Sequence, residues 1–128
     1  MKPKLNLLVV DDEPDAAPLF RQRFRKELAD GWLRLETAEN GVEALALLQD
    51  YHREIPLIIL SDINMPGMDG IELLQHIRSA YPHLQVWMVS AYTQTRGYEA
   101  QAAQHGAHAF IAKPIDFQSL KAQIFATI

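Results

Sequence analysis

The sequence contains no cysteine, so disulfides and thiolate metal centres are excluded. No apolar run approaches the ~20 residues that a membrane-spanning helix needs. An excess of positive charge is also missing: 12 Lys and Arg stand against 16 Asp and Glu, giving a net charge of -4 and a pI near 5.7. A mildly acidic chain lacks the electrostatic footprint of a nucleic-acid binder, so no direct nucleic-acid contact is expected, and no membrane contact either. The opening residues Met1-Lys2-Pro3-Lys4-Leu5 turn polar too quickly for a secretory signal. A cytoplasmic protein is the expectation. Internal repeats, low-complexity tracts and linkers are absent as well. What remains is ordinary globular composition, 48% hydrophobic and 22% charged over 128 residues, which is the size of one domain with a real core. The chain stops at Ile128 inside an apolar-patterned helix with no capping signal, which leaves open both a complete domain and a piece of a longer one.

Two hydrophobic patterns alternate. Short apolar runs occur at Leu7–Val10, Leu57–Leu60, Val86–Val89 and Ala109–Ala112. The first three are continuous, as in strands buried on both faces of a parallel sheet. Leu33 to Thr37 alternates, as an edge strand does. Helical spacing fills the gaps. Asp15 is placed to cap a first helix in which Phe20, Phe24 and Leu28 share a face. A second helix follows Asn40-Gly41, with Val42, Leu45 and Leu48 expected inward. A third runs from Gly70 toward Ala80 on Ile71, Leu74 and Ile77, and Tyr81-Pro82 ends it. A fourth, alanine-rich helix runs from about Arg96 to His105 and stops at Gly106. A fifth begins at Phe117, with Leu120, Ile124 and Ile128 on one side. Strand and helix alternate throughout, which predicts an α/β fold: a single (βα)5 doubly wound parallel sheet.

Ligands of such sheets bind beyond the carboxyl ends of the strands. Asp11, Asp12 and Glu13 follow the first expected strand; Ser61 and Asp62 the third; Ser90 and Ala91 the fourth; Lys113 and Pro114 the fifth. Carboxylates crowded on one edge repel and raise one another's pKa. A hard divalent cation removes that conflict, and Mg²⁺ suits few carboxylates and several waters. A carboxylate is also a nucleophile toward phosphorus. Phosphoryl transfer then needs charge neutralisation, from Mg²⁺ and Lys113, with a hydrogen bond from Ser90.

The combination of Val9-Val10-Asp11-Asp12-Glu13, Ser61-Asp62-Ile63-Asn64-Met65-Pro66-Gly67-Met68-Asp69-Gly70, Val89-Ser90-Ala91 and Phe110-Ile111-Ala112-Lys113-Pro114 resembles the receiver domain of bacterial two-component response regulators, across residues 1–128. The resemblance implies the flavodoxin-like strand order 2-1-3-4-5. It implies Asp62 as phosphoacceptor, taking a phosphoryl group from the phosphohistidine of a sensor histidine kinase or a phosphotransfer protein. Asp12 would ligate Mg²⁺ directly, Asp11 mainly through water, and Asn64 through its backbone carbonyl, alongside Asp62. Lys113 would pair with the phosphoryl group and Ser90 would bind it. Ser90 and Phe110 would form the switch, and the bond before Pro114 would be cis. Tyr92 would govern water access, giving a long-lived aspartyl phosphate that decays faster in Tyr92→Ala. The switched surface would be the fourth helix, fifth strand and fifth helix, contacting an effector domain, another partner or a second copy. Its task would be signalling rather than turnover, with limited self-phosphorylation and autodephosphorylation.

Two rivals are less well supported. A phosphatase with an aspartyl-phosphate intermediate needs an acid two residues after the nucleophile, where Asn64 stands. A phosphate-independent module would have lost part of the site, which this chain retains. Three other features carry no functional reading. The basic residues Arg21, Arg23, Arg25 and Lys26 read as a solvated helix face. His105 and His108 lack the further ligands of a metal site. Gly67-Met68-Asp69-Gly70 is a turn into a helix rather than a phosphate loop.

Overall fold

The structure, a computed structural model, describes residues 3–51, 55–91 and 95–127, and only the backbone of 95–99. The elements run β1 (Leu5–Val10), α1 (Ala16–Arg23), α2 (Arg25–Ala29), β2 (Leu33–Ala38), α3 (Gly41–Gln49), β3 (Leu57–Asp62), α4 (Gly70–Ala80), β4 (Gln85–Ala91), α5 (Thr95–Gln104), β5 (Ala109–Lys113) and α6 (Phe117–Thr127). The strands form one parallel sheet in the order β2-β1-β3-β4-β5, as the sequence resemblance implies.

Alternate strand residues feed two separate cores, because successive side chains leave a strand on opposite faces. Leu8, Val10, Ile59, Val86 and Met88 pack with Ala44 and Leu48 of α3, Leu74 and Ile77 of α4, and Ala102 of α5. Leu7, Val9, Ile58, Leu60 and Trp87 pack with Phe20 and Phe24 from the first helical segment and Leu120 and Ile124 of α6. Every residue of β3 is buried, which is why its sequence reads as a continuous apolar run. β2, at the sheet edge, alternates buried Leu33 and Leu35 with exposed Arg34 and Glu36.

Three local expectations are corrected. The first helix is broken at Phe24, whose backbone (φ -102, ψ 17) leaves helical geometry. The ladder continues around it, through Phe24 N–H to Phe20 O at 2.9 Å and Leu28 N–H to Phe24 O at 3.0 Å. The Phe24 ring is fully buried, stacked on Phe20 and edge-on to Phe117, so tertiary packing singles out this residue. Asp15 holds the N-cap position of α1, but its side chain makes no capping hydrogen bond. Val42 points outward at 68% exposure, because the buried stripe of α3 runs through Gly41, Ala44 and Leu48. Tyr81 ends α4, and Gly106, at φ +94, ends α5, both as the sequence predicts. Ile128 and Tyr92 lie outside the described residues.

Candidate functional site

The carboxyl edge of the sheet gathers its polar residues through strand register. Val10 pairs with Ser61, Asp62 with Val89, and Ala91 with Lys113, so the strand ends finish near one level. Asp11 follows β1 directly; its N–H donates to Ala38 O of β2 at 3.0 Å, and its Oδ1 accepts the Glu13 N–H at 2.9 Å. Asp62 is the last residue of β3 and is buried. Carboxylate oxygens of Asp11, Asp12 and Asp62 all lie within 4.8 Å of one another.

Lys113 closes this cluster. Its Nζ stands 3.1 Å from Asp62 Oδ2, 3.2 Å from Asp11 Oδ2 and 3.9 Å from Glu13 Oε1. Burial raises the pKa of Asp62 above the ordinary carboxylate value, and the charge of Asp11 adds to this. The hydrogen bond and charge of Lys113, and the backbone N–H of Asn64, pull in the opposite direction without prevailing. For Lys113, burial favours loss of the proton, but the bond and charge of Asp62, then Asp11, outweigh it and raise the pKa. The site thus carries three clustered aspartate carboxylates, hard oxygen donors, with one ammonium beside them. This set fits a divalent oxygen-seeking cation such as Mg²⁺, which the acidic pocket of receiver domains binds.

The loop from β3 to α4 is anchored at both ends. Ile63 N–H donates to Val89 O at 3.0 Å, and Gly70 N–H to Ile63 O at 2.8 Å. Gly70 is required by close approach, since a Cβ there would fall 2.2 Å from the carbonyl oxygen of Asp62. Asp69 caps α4 by accepting the Glu72 N–H at 2.9 Å, while Glu72 Oε1 receives the Asp69 N–H at 3.4 Å. This capping box was missed in reading the sequence, although Asp-x-x-Glu before an apolar run is its signature. The Asn64 N–H bond to Asp62 had no sequence signal, because it depends on the fold of the loop.

Ser90 is fully buried in β4, and its Oγ lies 3.4 Å from Ala91 O. Phe110 is half-buried and packs against the core shared by α3, α4 and α5. The Lys113-Pro114 bond is cis. His105 and His108 are not brought together. His105 meets Gln75 of α4 at 3.2 Å, and His108 Nδ1 lies 3.2 Å from the Val86 N–H.

Residues 7–125 match the family model of the response regulator receiver domain. The chain belongs to that family. This receiver domain is 36% identical over 116 residues to the DNA-binding transcriptional regulator NtrC of Salmonella typhimurium, a match covering 91% of this chain and 23% of that protein. The receiver therefore spans under a quarter of that relative's length. It is 34% identical over 114 residues to an uncharacterized 14.6 kDa protein of Leptolyngbya boryana, covering 88% of this chain and 82% of that one. The chemotaxis protein CheY4 of Vibrio cholerae superimposes with a TM-score of 0.79 at 25% identity, with both chains fully covered (100% each). The receiver is thus a signal-transduction domain of two-component systems. Among its described residues, no helix is long and apolar enough to cross a membrane.

Proposed function

We propose that residues 1–128 act as one cytoplasmic receiver that accepts a phosphoryl group on Asp62 from a phosphohistidine, on a sensor histidine kinase or phosphotransfer protein. The observation that carries this reading is the convergence on one sheet edge of the Asp11, Asp12 and Asp62 carboxylates, within 4.8 Å of one another, with Lys113 at ion-pair distance from Asp11 and Asp62. An oxygen of the Asp62 carboxylate attacks phosphorus, the P–N bond breaks, and its electron pair returns to the donor imidazole. Lys113 exchanges its contact with Asp62 Oδ2 for the incoming phosphoryl oxygens. Asp11, Asp12, Asp62 and the Asn64 carbonyl would hold Mg²⁺, which when bound neutralises charge on the phosphoryl group.

Phosphorylation adds about −1.5 to −2 charges and three acceptor oxygens. Such a change shifts a two-state element only through contacts that differ between the states. Ser90 and Lys113 supply those contacts, and Phe110 turns inward behind Ser90. The responsive surface is α5, β5 and α6; among the described side chains of α5, the small Ala102 is the one buried in the core. That surface binds an effector domain, another partner or a second copy. Tyr92 controls the access of water to the aspartyl phosphate, and turnover is limited to self-phosphorylation and autodephosphorylation.

The test is incubation with acetyl phosphate and Mg²⁺, read by intact mass beside Asp62→Asn. The reading expects a gain of one phosphoryl group that needs both Mg²⁺ and Asp62. A gain retained in Asp62→Asn, or no response to acetyl phosphate, kinase donor or beryllium fluoride, overturns it.

A further inference from the structure

We infer that Gly41 and Met68 form a lock that positions the β3–α4 loop, and through it Asp62 and Asn64, for phosphoryl acceptance. The inference rests on the phosphoacceptor reading above. Gly41 opens α3 and is buried. Its backbone does not call for glycine, because its φ is not in the positive region that Gly31, Gly67 and Gly106 occupy. Glycine in a helix costs about 0.5–1 kcal/mol relative to alanine. A different physical reason must therefore hold it there.

The reason is Met68. A Cβ on Gly41 would fall 2.6 Å from Met68 Sδ, 3.1 Å from its Cγ and 3.2 Å from its Cβ. Swinging the thioether away relieves the sulfur contact, but Cγ and Cβ remain tight against the added methyl, so Met68 must also give by a few tenths of an ångström. Met68 is half-buried and packs against the core shared by α3 and α4. Between the anchored ends of the loop, Asn64, Pro66 and Gly67 are exposed. Met65, at 7% exposure, and Met68 are the apolar side chains that pin this stretch to the body. Asn64 sits one residue before the first pin and donates its N–H to Asp62. A shift of Met68 is thereby delivered to the hydrogen-bond partner of the phosphoacceptor. Gly41 and Met68 are positioning residues; neither touches the reacting atoms.

The experiment is a double-mutant cycle of Gly41→Ala, Met68→Ala and both together, in the whole chain. It has two readouts: hydrogen–deuterium exchange of the 63–69 segment without any phosphodonor, and the Mg²⁺-dependent rate of Asp62 phosphorylation by acetyl phosphate. Each single change is expected to speed exchange in the segment and slow phosphorylation by between about fivefold and 100-fold, the range that small misplacements produce. The double variant is expected to be less impaired than the product of the two single effects, since the alanine methyl enters space the methionine vacates. A Gly41→Ala protein with unchanged exchange and rate, and stability raised by better helix propensity, overturns the lock. So do single effects that simply multiply. If the wild type itself takes no phosphoryl group, the phosphoacceptor reading fails, while the exchange data still decide whether the lock exists.

Discussion

Lys113 Nζ lies 3.1 Å from Oδ2 of Asp62, tying the end of β5 to the end of β3 across the sheet edge. The same ammonium reaches Asp11 at 3.2 Å. One cation therefore restrains two carboxylates that would otherwise repel each other.

Lys113→Ala removes that restraint. The Asp62 carboxyl is expected to titrate higher than in the wild type, because burial and Asp11 continue to raise it with no opposing ammonium. Carboxyl ¹³C NMR titration reads this directly. Phosphorylation by acetyl phosphate is expected to slow by roughly 10²-fold or more, the loss typical of a missing preorganised charge.

Asp62→Asn should stabilise the fold at neutral pH. A carboxyl whose pKa is raised on folding is held more tightly as the acid in the native state than in the unfolded chain. Its favourable contribution is present below the ordinary value of 3.8 and is lost as pH rises through the folded pKa. The asparagine variant is therefore expected to exceed wild-type stability at about pH 7, with the gap closing toward about pH 4. Lys113 keeps Asp11 as its partner in this variant. Urea denaturation at several pH values checks it, and a less stable variant at neutral pH contradicts it.

Mg²⁺ should stabilise the native protein by mass action. At ~100 times its dissociation constant the gain is about 2.7 kcal/mol for a single site. Asp12→Ala removes an exposed member of the acidic cluster and should lose most of this gain at the same concentration. Thermal denaturation across a Mg²⁺ series gives the comparison, with EDTA-treated protein as the baseline.

His108 should make stability fall in mild acid. Burial, then the charge of Arg78, holds its imidazole below the ordinary value of 6.5. The unfolded chain therefore takes up the proton first, and stability declines as pH drops through that value. His108→Gln is expected to lose less stability than wild type between about pH 7.5 and about pH 5. Equal losses in paired denaturation series count against this assignment.

The architecture was legible in the sequence wherever burial wrote a period. Leu57–Leu60 is apolar throughout because β3 is covered on both faces. Leu33 to Thr37 alternates because β2 is at the edge. The candidate site residues were legible for a topological reason: Asp11, Asp62 and Lys113 each end or follow a strand, Ser90 stands one residue before the end of another, and a parallel sheet collects those ends on one side. Other features depend on what each residue meets across the fold. Phe24 breaks the first helix with no proline or glycine to announce it, because its ring is fixed between Phe20 and Phe117. Val42 faces solvent because the buried stripe of α3 runs through Gly41, Ala44 and Leu48. The opposed shifts acting on Asp62 come from burial and from a lysine 51 residues away in sequence. The contact between Gly41 and Met68 is of the same kind. Local pattern determined the elements and their order; which atoms touch, and hence which groups are charged or held, was decided by packing between segments remote in the chain.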